Sequence, residues 1–289
     1  MHHAMRMRST PRIWEWPSVL CLEAPAIALL WQALSARRLG VDPGLHLRLL
    51  LGLAVWLSYT ADRWKDAFSE APVTPRHAFA RRRRWAILGI WIAAACLGLL
   101  SALRLLTPSQ WLLCAVGGAA AVIQITLIAR LRNRYPNGAR LWRFGAASTF
   151  TLGVLLFVLP NSKLPWASTV SWCIGVWIVV AGNLEVIAGA EARVERRRRG
   201  ELSLSTQGDT PEYRRSAVRL MLTGILVLGA IPVWIAESSS NASVSLSALP
   251  PALAGLILAD TFACEDPEVT HALADLAVAL PAFAVLIAG

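Results

Sequence analysis

Charge is scarce in this chain. Only 16% of its 289 residues are Asp, Glu, Lys or Arg, too few to cover the surface of a soluble domain of this length. Cysteine is sparse and scattered. Cys21, Cys96, Cys114, Cys173 and Cys264 form no pair with metal-ligand spacing, and four of the five lie clearly within apolar segments. They read as small apolar residues. No nucleic-acid recognition fold is visible either. The formal charge of +10 invites that reading, but the basic residues lie between apolar runs, where the positive-inside rule places them.

What the chain has in abundance is apolar length. Hydrophobic residues make up 56% of it, and the mean hydropathy is +0.51. The apolar runs repeat at about 20 residues, the length that crosses about 30 Å of hydrocarbon. Nine spans are predicted, at 18–36, 46–61, 85–105, 109–129, 141–160, 166–190, 216–236, 244–263 and 271–288. Together they make residues 1–289 a single all-α membrane domain. Pro250, Pro251, Asp260, Asp275 and Pro281 interrupt the last two spans, so eight is the alternative count. Asp260 and Asp275 read as the ends of a short wet connection around Glu265, Asp266 and Glu268. Of the thirteen Trp, residues 14, 16, 85, 111, 142 and 166 fall near span ends, where the ring suits the bilayer interface. Arg6, Arg8 and Arg12 precede the first run. That run is long and carries Glu23, so an uncleaved first helix is expected rather than a signal peptide.

Orientation follows from the Lys/Arg distribution. The connection after span 2 holds Arg63, Lys65, Arg76 and the run Arg81 to Arg84. The one after span 4 holds Arg130, Arg132, Arg134 and Arg140, with Arg143 just inside the next span. The one after span 6 holds Arg193, Arg196 to Arg199, Arg214 and Arg215. The opposite side carries only Arg37, Arg38, Arg48, Arg104 and Lys163. The three rich connections and the N-terminus are therefore expected in the cytoplasm. The expected location is a bacterial inner membrane. The two longest Arg runs read as topology determinants and contacts for anionic membrane lipids.

Two of these cytoplasmic connections share a feature. Span 2 ends in Tyr59-Thr60-Ala61-Asp62-Arg63-Trp64-Lys65-Asp66, and span 6 runs from Asn183 through Glu185 to Glu191 and Glu195. Asp62 and Asp66 are spaced i, i+4, and so are Glu191 and Glu195, so each pair shares one helical face. Asn183 lies eight residues before Glu191, on nearly the same face. Both pairs sit at the helix end where the macrodipole is already negative. Like charges at i, i+4 add a further small penalty. A divalent cation offsets both costs. Mg²⁺ takes one or two carboxylates and completes its octahedron with water and substrate phosphate. The plainer reading is that these interfacial acids pair with neighbouring Arg and Lys on a solvated face.

The layout resembles the UbiA superfamily of intramembrane prenyltransferases, which have nine helices and a Mg²⁺-dependent site on the cytoplasmic side. The family's first motif, Asn-Asp-x-x-Asp-x-x-x-Asp after helix 2, aligns with Ser58 to Asp66, keeping Asp62 and Asp66 but carrying Ser58 and Tyr59 in front. Its second motif, aspartates at four-residue steps after helix 6, aligns with Asn183, Ile187, Glu191 and Glu195. The stretch Arg132-Asn133-Arg134-Tyr135-Pro136 resembles the family's basic diphosphate-binding element, and Thr74-Pro75-Arg76-His77 follows the first motif. A Glu sets its carboxylate one methylene further out than Asp.

The resemblance implies transfer of a prenyl group from a prenyl diphosphate to a lipophilic acceptor. Asp62, Asp66, Glu191 and Glu195 would be the catalytic carboxylates. They would hold Mg²⁺ together with Asn183, while Arg132, Arg134 and Arg76 would bind the diphosphate. The alternative is a non-enzymatic member of the same fold, binding or transporting lipid after losing the full metal motif.

Overall fold

The computed structural model describes residues 16–69, 75–132, 138–198, 249–261 and 267–288. Among these residues regular structure is helical throughout. The helices are α1 (Trp16–Val19), α2 (Glu23–Leu39), α3 (Gly44–Ser69), α4 (Pro75–Arg82), α5 (Arg84–Leu105), α6 (Pro108–Arg132), α7 (Gly138–Leu155), α8 (Trp166–Arg198), α9 (Leu249–Thr261) and α10 (Pro267–Ala288). Among the described residues five segments are long and apolar enough to cross a membrane: Gly44–Trp64, Arg84–Leu105, Pro108–Ile128, Trp166–Ala190 and Val269–Ile287. A helix satisfies its own backbone polar groups, which is what a segment in hydrocarbon requires. These five correspond to predicted spans 2, 3, 4, 6 and 9.

The other predicted spans fare differently. Span 1 appears as the 17-residue α2, after a break that follows α1. Span 5 appears as α7, which stops at Leu155 rather than 160 and gives way to a 3₁₀ turn at Leu159–Asn161. Pro160 favours that stop, because it cannot continue the hydrogen-bond ladder. Span 7 lies outside the described residues, and span 8 partly so. Its described part, α9, has 13 residues. Pro250 and Pro251 are the second and third described residues of α9, which runs on unbroken after them.

The chain divides into two compact units: Met1–Leu29 with Gly44–Ser109, and Leu30–Pro43 with Gln110–Gly289. In the first unit α5 packs along α3. Leu53 lies so close to Gly98 that a Cβ there would come within 2.9 Å of it. The Trp91 indole donates to the Leu57 carbonyl at 2.9 Å. None of the α5 side chains is buried, as expected of a span whose outer surface meets lipid. The connection between spans 2 and 3 contains a helix of its own, α4. Pro75 starts α4 with the φ a first helical turn needs, and Phe79 holds it to α1 by an edge contact with Trp16, ring centroids 5.7 Å apart.

In the second unit α8 is the most buried of the five candidate spans. Trp172 on α8 is 1% exposed, lies 6.4 Å from Trp31 of α2, and donates to Ser35 Oγ at 3.0 Å. Trp177 packs on Phe144 of α7 and donates to Ser148 Oγ at 2.9 Å. Small residues set the close approaches. A Cβ at Gly255 of α9 would meet Ala277 Cβ of α10 at 2.9 Å. Gly145 of α7 lies against Ile128, and its carbonyl accepts from Gln124 of α6. In a membrane, where lipid is as apolar as Leu, such contacts and interhelical hydrogen bonds drive packing.

The end of α2 is closed by a Schellman turn. The Val41 N–H reaches the Ala36 carbonyl at 2.9 Å and the Gly40 N–H reaches Arg37 at 3.3 Å, with Gly40 at φ +67°. The same arrangement closes α1, where Leu22 reaches Pro17 and Cys21 reaches Ser18, but there the left-handed residue is Cys21 at φ 58°. A side chain in that conformation costs roughly 1–2 kcal/mol.

Candidate functional site

Helix α3 does not stop at the end of its apolar span. It continues from Trp64 to Ser69, so Asp62 and Asp66 both lie on unbroken helix one turn apart. Asp62 is exposed. Helix α8 likewise runs past its span at Ala190 to Arg198, carrying Glu191 and Glu195 on one face, with Asn183 about 12 Å before Glu191 at 1.5 Å per residue. Arg132 is the last residue of α6 and Arg76 is the second of α4. Asp62, Asp66 and Arg76 belong to the first unit, while Asn183, Glu191, Glu195 and Arg132 belong to the second. The side chains of Asp66, Arg76, Arg132, Glu191 and Glu195, and all of Arg134, lie outside what is described.

Where side chains are described, three polar clusters stand out. The first surrounds the leading half of the Ser58–Asp66 stretch. Arg63 donates to the Tyr59 hydroxyl at 2.5 Å and covers the Tyr59 ring at 4.9 Å. The Tyr59 hydroxyl donates to Glu23 of α2 at 3.3 Å. Glu23 was conspicuous in the sequence as an acid inside an apolar run, but nothing there paired it with Tyr59, 36 positions away. A carboxylate thus stands beside the second position of the motif, where this chain has Tyr59.

The second cluster links α7 to α8. Arg143 Nε and a terminal nitrogen donate to the two carboxylate oxygens of Glu185, at 2.9 and 3.3 Å. The Glu185 carboxylate is almost fully buried while Arg143 keeps some exposure. A two-pronged contact of this kind satisfies both charges and fixes geometry.

The third links α8 to α10. Asn183 Nδ2 donates to Asp275 Oδ1 at 3.1 Å. Asp275 therefore does not mark the edge of a wet connection. It lies nine residues into the described helix starting at Pro267, where a partner on α8 satisfies it as a polar group inside a span requires. The Asn183 Oδ1 atom is buried without a hydrogen-bond partner among the described residues. So are both carboxamide atoms of Gln32, Trp31 Nε1 and Thr151 Oγ1 in the same unit. Each such group costs about 1–3 kcal/mol. Only Asn183 among these residues stands out in the sequence.

Among the described residues no three His, Cys, Asp or Glu gather as a metal site. The expected Mg²⁺ donors are oxygen atoms throughout, four carboxylates and one carboxamide, which is the chemistry that hard cation selects. No family model, curated protein or solved structure matches the chain.

Proposed function

We propose that this chain is a nine-helix, UbiA-like intramembrane prenyltransferase. It would move a prenyl group from a prenyl diphosphate to a lipophilic acceptor at the cytoplasmic side of the membrane. The observation that carries the reading is the continuity of α3 and α8 beyond their apolar spans. That continuity keeps Asp62 with Asp66, and Glu191 with Glu195, at i, i+4 on one helical face, with Asp66 and Glu195 in the last turn of their helices, where acids are disfavoured.

Two further features support it. Asn183 commits its nitrogen to Asp275 and so turns its oxygen, the atom a cation would take, away from that bond. Glu23 brings a carboxylate to the motif position occupied by Tyr59. In the reaction Mg²⁺ would neutralise the leaving diphosphate as the allylic carbon–oxygen bond ionises. Asp62, Asp66, Glu191, Glu195 and Asn183 would hold the metal, and Arg76, Arg132 and Arg134 would hold outer diphosphate oxygens. Apolar walls would keep water from the allylic cation.

The second reading, a non-enzymatic lipid-binding or transport protein of the same fold, is favoured by Ser58 and Tyr59 at the head of the first motif. Calorimetric titration of the purified chain with farnesyl diphosphate, with Mg²⁺ and with EDTA, separates the two. Mg²⁺-dependent binding with diphosphate release on adding acceptor is the expected result. Absence of any Mg²⁺-dependent binding across prenyl chain lengths decides for the second reading.

A further inference from the structure

The first unit contains a cavity of ≈ 360 Å³ enclosed by α1, α3, α4 and α5, within the size range of small-molecule sites. Its walls are mainly apolar and include Trp56, Trp64, Phe79 and Ile87. Among the described residues no acidic side chain lines it; its polar side chains include the hydroxyls of Ser18 and Thr60 and the guanidinium groups of Arg63 and Arg83.

Thr60 is 6% exposed, and its hydroxyl has no hydrogen-bond partner among the described residues. A hydroxyl buried that far is expensive unless something in the cavity accepts its proton. Arg83 sits in the exposed run Arg81 to Arg84. The candidate span of α5 starts at Arg84 and that of α3 ends at Trp64, so Thr60, Arg63 and Arg83 mark the same end of two packed spans. Below them the lining continues as apolar side chains of α3 and α5. The cavity is thus cationic at the membrane boundary and apolar toward the hydrocarbon.

We propose that this cavity holds an anionic phospholipid of the surrounding leaflet, with its phosphate on Arg63 and Arg83, an ester or phosphate oxygen on Thr60, and an acyl chain against Trp56, Trp64 and Ile87. The charge pattern selects this occupant over a prenyl diphosphate. A diphosphate carried with Mg²⁺ needs carboxylate ligands, and the described lining offers guanidinium and hydroxyl donors, which bind a phosphate directly. Neighbouring Arg81, Arg82 and Arg84 add the basic surroundings that favour anionic headgroups. The inference stands apart from the prenyl-transfer reading and survives its failure.

The test is native mass spectrometry of the full chain, delipidated and then titrated with phosphatidylglycerol or phosphatidylcholine of identical acyl chains. The wild type should retain phosphatidylglycerol preferentially. Arg83→Gln should weaken that retention about fivefold, the worth of roughly one headgroup-facing charge. Thr60→Val, close to isosteric, should weaken it for the same lipid. Arg104→Gln, at the far end of α5, should leave it unchanged. Ile87→Trp, which fills the cavity, should displace the lipid while circular dichroism stays helical. Equal retention of the two lipids overturns the proposal. So does an Arg104→Gln effect matching that of Arg83→Gln, which would indicate surface charge alone. Mg²⁺-dependent displacement of the bound lipid by farnesyl diphosphate overturns it too, by assigning the cavity to that diphosphate.

Discussion

Arg143 and Glu185 form a two-pronged ion pair across α7 and α8, with nitrogen–oxygen distances of 2.9 and 3.3 Å. Glu185 is 2% exposed, so its charge has little recourse to water if Arg143 is lost. Removing one partner of a buried pair typically costs about 3–5 kcal/mol, whereas replacing both with apolar residues of similar volume is often neutral. Arg143 is partly exposed, which places the expected loss near the lower figure. Thermal unfolding in detergent should therefore show Arg143→Met and Glu185→Leu each strongly destabilised. The double variant should lie closer to wild type than either. Additive losses in the double variant would contradict this account of the pair.

The Schellman turn after α2 makes a narrower prediction. Gly40 holds φ +67°, a conformation that costs a side chain roughly 1–2 kcal/mol. A Cβ there would also approach Lys163 Cδ to 3.3 Å, a flexible neighbour that can move aside. Gly40→Ala should lower stability by about 1 kcal/mol, and Gly40→Asn, which tolerates the left-handed region better, by less. Equilibrium unfolding of the three proteins checks the order.

The acidic pairs predict opposite effects on stability and activity if the prenyl-transfer reading holds. Asp66 stands in the last turn of α3, where a negative charge is unfavourable by about 0.3–1 kcal/mol, and Glu191 faces the like charge of Glu195 one turn on, a penalty of roughly 0.2–0.5 kcal/mol. Asp66→Ala and Glu191→Ala should leave melting temperature unchanged or slightly raised. Mg²⁺-dependent diphosphate release should meanwhile fall on the order of a hundredfold or more, the usual scale for losing charge stabilisation in a dry site. Strong destabilisation of both variants would mark the acids as structural instead.

Orientation is testable without any assumption about chemistry. In a cysteine-free background, single cysteines at Ser69 and Ser203 should react only when the cytoplasmic face is accessible. One at Ser239 should react from the outside of intact cells. Labelling of Ser69 from outside reverses the topology inferred from the Arg-rich connections.

Much of the architecture was legible in the residues alone, for a local reason. A chain in hydrocarbon must satisfy its backbone internally, so an apolar run of about 20 residues is a helix whatever surrounds it. Spans 3 and 4 illustrate this, matching α5 and α6 to within a few residues. The i, i+4 spacing of Asp62 with Asp66 is equally local, since it needs only that α3 continue past its span. The early end of α7 and the helix α4 were less legible. Weak local signals such as Pro160 and Pro75 act there together with contacts like Phe79 on Trp16.

Partner choice was settled by tertiary packing. Trp172 finds Ser35 from 137 positions away, Asn183 finds Asp275 from 92, and Arg143 finds Glu185 from 42. The residue types announced that polar groups inside apolar helices must pair, but several partners were chemically equivalent. By sequence Asp275 suits the edge of a loop as well as a span, and only its packing against Asn183 decides for the span. Tyr59 departs from the motif by residue type, and only packing sets its hydroxyl between Glu23 and Arg63. Periodicity fixes which face of a helix a residue lies on. Which helix meets that face depends on how Gly145, Gly255 and the large Trp side chains fit against their neighbours, a property of the packed chain that no single segment carries.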